Sequence, residues 1–164
     1  MNLFTGEASD EYFGGEVPQT VRRLFDEAAG APPQRIEALL WTAHASAPEC
    51  LPVYYLLYKF HAGRRQFDLA ERAASKGIAV AARQAGLAAD WREVQPGAAD
   101  FAVNGPARFW LFSLKALAFI CLRSGRSDEA RALVAHIGRL DPTHGLGDEV
   151  IASLLAGSGG SSAR

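Results

Sequence analysis

Cysteine is nearly absent from this sequence, lysine is scarce, and no apolar run has the length of a membrane span. The chain of 164 residues holds two cysteines, Cys50 and Cys121. Two isolated thiols build no disulfide framework and no cysteine-based zinc site. Only three lysines (Lys59, Lys76 and Lys115) stand beside 14 arginines, and these cations meet 18 Asp and Glu at a formal charge of −1. A near-neutral chain offers no bulk positive surface for nucleic acid. The most apolar run, Trp110 to Leu122, is interrupted by Lys115, whereas a spanning helix needs about 20 apolar residues. Neither a cationic n-region nor an apolar h-region follows Met1, so the cytoplasm is the expected location and no membrane partner is expected.

What is plentiful is alanine, 30 residues of it, in a chain 49% hydrophobic and 21% charged. That is the balance of a globular protein rich in good helix formers, and its size suits one folded domain. Residues 1–16 form an acidic arm: Glu7, Asp10, Glu11 and Glu16 lie among Phe4, Tyr12 and Phe13 with no positive side chain. From Val17 the apolar residues recur at three- and four-residue steps, the stripe of one helix face. Val21, Leu24, Phe25 and Ala28 predict a first helix, and Ile36, Leu39, Leu40 and Ala43 a second opened by Pro32-Pro33. Further helices are predicted at about 52–62, 66–85 and 106–124. Ser127 is expected to cap the next one, and Asp141-Pro142 to end it. Residues 87–104 lose the helical period and read as a long inserted loop tethered by Trp91 and Phe101. A short helix at 148–155 and a flexible tail at 156–164 complete the expectation.

Helix pairs joined by short turns raise the question of an internal period. In residues 111–144, Leu114, Leu117, Ala118, Cys121, Gly125, Ala130, Val134, Ile137 and Pro142 occupy unit positions 4, 7, 8, 11, 15, 20, 24, 27 and 32. This pattern resembles a tetratricopeptide repeat (TPR), in which small residues at positions 8 and 20 let two helices approach closely. The same frame 60 residues earlier starts a unit at 51, with Tyr54, Leu57, Ala70 and Ala74 in place. There, Tyr58 is large for position 8 and Gly63 falls two residues early. A third unit, at 17–50, keeps Leu40, Ala43 and Pro48 in register. The resemblance implies an all-α fold over 17–155, a short solenoid of units 17–50, 51–84 and 111–144 with 148–155 as capping helix.

Two finer likenesses follow. The size and three-repeat layout are similar to type III secretion translocator chaperones. Tyr12-Phe13-Gly14-Gly15, Leu51-Pro52-Val53-Tyr54-Tyr55, Ala89-Asp90-Trp91, Gly105-Pro106-Ala107-Arg108-Phe109 and Leu140-Asp141-Pro142 resemble small TPR proteins found with bacterial nitrogen-fixation genes. That resemblance implies an accessory factor for nitrogenase or its assembly machinery, with no catalytic residue to carry over.

No enzyme signature is found. His44, His61, His136 and His144 form no H-E-x-x-H or zinc-finger spacing. His61 and Cys121 share packing position 11, so core roles account for both, and Cys50 is expected to be the more exposed thiol. Gly145-Leu146-Gly147 punctuates helices more readily than it cradles phosphate. No cofactor or metal is expected; a small enzyme or metal-binding protein with an unrecognised site is the rival reading.

Charge and aromatic patterns carry more. Lys59, Arg64, Arg65, Arg72, Lys76 and Arg83 outnumber Asp68 and Glu71 between 59 and 83; a solvated helix face is the plain explanation. The resemblance implies an inner groove lined by positions 2, 5, 9, 12 and 13 of each first helix. It thereby selects Tyr55, Lys59, Phe112, Lys115, Phe119 and Arg123 as partner-binding residues. Cations among aromatics suit an acidic, partly apolar protein segment, unless the inserted loop buries Phe112 and Phe119. The expected function is therefore protein binding, as an adaptor, chaperone or assembly factor. The acidic arm has the chemistry to enter the same groove.

Overall fold

The computed structural model describes residues 16–142. Most of the acidic arm, Gly145-Leu146-Gly147, the expected helix at 148–155 and the tail lie outside the described residues. Within them are six α-helices and no strand: α1 Gln19–Ala28, α2 Pro33–Ser46, α3 Leu51–Gly63, α4 Phe67–Ala85, α5 Pro106–Arg123 and α6 Ser127–Leu140. Proline opens α2 and α5 and lies in the first turn of α3, where its missing N–H loses no helical hydrogen bond. Ser127 is the first helical residue of α6, and Arg126 holds the capping position expected for it.

Each helix packs on its neighbours in sequence, and α3 also meets α5. The end of α4 returns to the start of α3, where Arg83 donates to Glu49 at 3.0 Å and Gln84 to the Glu49 carbonyl at 2.8 Å. The two helices are therefore antiparallel. The starts of α4 and α6 lie together instead, joined by Arg126 to Glu71 at 2.6 Å. Every residue from Leu51 to Tyr58 is buried, as an all-round apolar helix must be. Tyr58, large for its position, is 1% exposed with its hydroxyl 3.3 Å from Ser113 Oγ. A small residue on α5 thus supplies the space.

The turns of the two hairpins α3–α4 and α5–α6 match at the 60-residue offset. Gln66 N–H donates to the His61 carbonyl and Arg126 N–H to the Cys121 carbonyl, each at 2.9 Å. Arg65 at φ 60° stands where Gly125 has φ 83°, so an arginine occupies a left-handed position that usually favours glycine. Gly63, early in the repeat frame, is simply the last residue of α3.

The insertion between the hairpins is anchored rather than structureless. Asp90 accepts from Arg92 N–H at the start of a 3₁₀ turn, Trp91–Glu93. Trp91 meets the His136 ring edge-on at 5.3 Å, and Phe101 lies 5.7 Å from Trp110. A third tether was not visible in the sequence: His136 Nε2–H donates to the carbonyl of buried Val94 at 2.8 Å.

Two neighbouring helices come close to Gly77 of α4. A Cβ there would lie 2.8 Å from Tyr54 Cβ on α3 and 3.3 Å from Phe109 on α5. Helix propensity favours alanine over glycine by about 1 kcal/mol, but the close contact leaves no room for the methyl group. Gly77→Ala should therefore lose about 1–2 kcal/mol net, read as a lowered thermal midpoint by circular dichroism. An unchanged or raised midpoint would contradict the packing.

Candidate functional site

The six residues selected from the sequence fall into distinct surroundings. Tyr55 and Phe112 come together across α3 and α5, ring centroids 5.7 Å apart. Lys59, one turn after Tyr55, sets its ammonium 5.7 Å from the Tyr55 centroid and 5.9 Å from that of Phe112. Both are cation–π distances. Burial lowers the pKa of Lys59, because leaving water disfavours the charged form, and among the described residues it has no carboxylate partner. Arg123 is exposed and lies 5.8 Å over Phe67 at the start of α4; the repeat frame did not single out Phe67. Phe119 is half-buried on α5.

Lys115 lies elsewhere. It is 7% exposed and pairs with Asp141 at 3.5 Å. Its charge is already met inside the protein, and removing one member of such a buried pair costs about 3–5 kcal/mol. Of the selected cations, Lys59 is thus the one set between two rings, with Arg123 at the far end of α5. Phe112 is half-buried and packs against the core and Tyr55.

The remaining cations of the 59–83 stretch are all exposed, as a solvated helix face requires. Arg64 lies over Phe60, Lys76 over Trp41, and Arg83 pairs with Glu49. Trp41 also meets His44 edge-on at 5.3 Å and lies 6.3 Å from His61. His61 is fully buried, with Nδ1 2.8 Å from Gln66 Oε1. Its Nε2 has no hydrogen-bond partner among the described residues, so the packing role is accompanied there by one unmet polar atom. Cys121 is fully buried and Cys50 9% exposed. Burial, with Glu129 adding to it, pushes the Cys121 thiol up to about 11, which disfavours the nucleophilic thiolate at neutral pH. Among the described residues, no three His, Cys, Asp or Glu side chains gather as a metal site, and no helix is long and apolar enough to cross a membrane.

Comparison with known proteins adds a relative. The chain is 27% identical over 159 residues, 95% of its own length and 89% of the relative's, to an uncharacterized 19.8 kDa protein in the nifW 5′ region of Azotobacter chroococcum mcd 1. No family model and no solved structure matches the chain.

His44 offers a test of the packing beside the Trp41 cluster. Burial, and then Lys76, hold its imidazole below the ordinary 6.5, so the fold favours the neutral ring. The associated stability is present above pH 6.5 and is lost as pH falls through the lowered folded-state value. His44→Gln should flatten the decline in thermal midpoint between about pH 7 and 5. An unaltered pH profile would place the ring outside this environment.

Proposed function

We propose that this chain is a TPR-like, non-enzymatic protein-binding module, acting as an adaptor, chaperone or assembly factor. The two hairpins with matching turns at a 60-residue offset support the repeat reading, and α4 wedged between α3 and α5 supports a short helical stack. The observation that carries the binding reading is the Tyr55–Lys59–Phe112 cluster: a cation drawn out of water onto two rings, with no carboxylate among the described residues to neutralise it. An incoming carboxylate would gain from this low-dielectric setting, and aromatic edges beside it would take an apolar anchor. Phe119 and Arg123 extend the same helix toward Phe67, so the ligand is an extended acidic segment with apolar side chains.

The relative in a nifW 5′ region favours a narrower form of this reading, in which the module serves nitrogenase or its assembly machinery. The full chain, tagged and recovered from its native cells under nitrogen-fixing conditions, should bring down one identified partner carrying an acidic, partly apolar segment. Lys59→Glu with Arg123→Glu should weaken that complex about tenfold or more, and the residual binding should be less sensitive to salt. Undiminished affinity in a double variant with native circular dichroism would remove the groove from the account.

A further inference from the structure

The Tyr55–Lys59–Phe112 cluster has a ligand of matching chemistry in the same polypeptide. Residues 1–15 contain Glu7, Asp10 and Glu11, the aromatics Phe4, Tyr12 and Phe13, and no lysine or arginine. We propose that this acidic arm is the resident occupant of the cluster, one of its carboxylates meeting Lys59 while Tyr12 and Phe13 pack beside Tyr55 and Phe112. A protein partner then binds by displacing it. The inference rests on the groove reading above and names what fills the groove when no partner does.

Three physical points select the arm. Lys59 has lost part of its hydration to two rings, at 5.7 and 5.9 Å, without a carboxylate among the described residues. A carboxylate at that position restores the lost interaction in surroundings where charge pairs are stronger than in water. The arm also has the reach. Joined to the described fold at Glu16, 15 extended residues span up to about 50 Å, more than the diameter of a domain with a radius of gyration near 14 Å. Finally, tethering gives such a segment an effective concentration of the order of millimolar. An outside segment of similar chemistry at micromolar concentration therefore succeeds only by binding more tightly.

The near absence of lysine makes the test clean. A water-soluble carbodiimide couples carboxylates to amines, and only Lys59, Lys76 and Lys115 offer side-chain amines. Treatment of the full-length chain, followed by peptide mapping of the monomer, should yield a cross-link from Glu7, Asp10 or Glu11 to Lys59. It should disappear in Lys59→Arg without shifting to Lys76 or Lys115. Tyr12→Ser with Phe13→Ser, which leaves every carboxylate in place, should lower the yield about threefold or more.

A cross-link mainly to another lysine, one formed only between two copies in an isotope-mixed sample, or a yield indifferent to the aromatic pair would overturn the proposal. The outcome separates from that of the groove reading. With the cross-link absent and partner binding still sensitive to Lys59→Glu, the arm inference alone fails. With the cross-link present and partner binding indifferent to Lys59, the partner reading alone fails.

Discussion

The close approach of α4 to two neighbours at Gly77 is the constraint on which the rest of the arrangement depends. Tyr54 and Phe109 both lie against a backbone bare of a side chain, which brings α3 and α5 onto α4 at once. Tyr55 follows Tyr54, and Phe112 lies nearly one turn beyond Phe109, so the two rings meet because their helices share a close-packed neighbour. Lys59, on the next turn of α3, is carried onto that pair. The polar cluster is thus a product of core geometry, and a residue with no polar group sets its dimensions.

Much of the fold was legible because helix boundaries are written in residues with restricted backbones. Pro33, Pro106 and Gly86 mark starts and ends that the helices obey. The 60-residue offset was legible in apolar spacing, and the matching hydrogen bonds of the two turns agree with it. The turn residues were harder to read. Gly63 drew attention to the wrong position, because Arg65 adopts the left-handed geometry that its counterpart Gly125 adopts without strain.

The site was legible only in part, for a different reason. Periodicity tells which residues share a face, but it does not tell what each charge will find there. Lys115 stands 60 positions from Tyr55, yet Asp141, beyond the end of α6, takes its charge. Phe67 lies at the start of α4 and gave no groove signal, although Arg123 rests on its ring. His136 likewise acts through the Val94 carbonyl in the insertion, a contact between segments that no local pattern connects.

The central claim, that Lys59 among aromatic rings recognises a carboxylate, is tested most directly by a double-mutant cycle. It would pair Lys59→Ala with removal of single carboxylates, one at a time, in the identified partner's acidic segment, with affinity measured by calorimetry. The account predicts a coupling of about 1 kcal/mol or more for one carboxylate and little for those further along the segment. Additive losses at every carboxylate would contradict it.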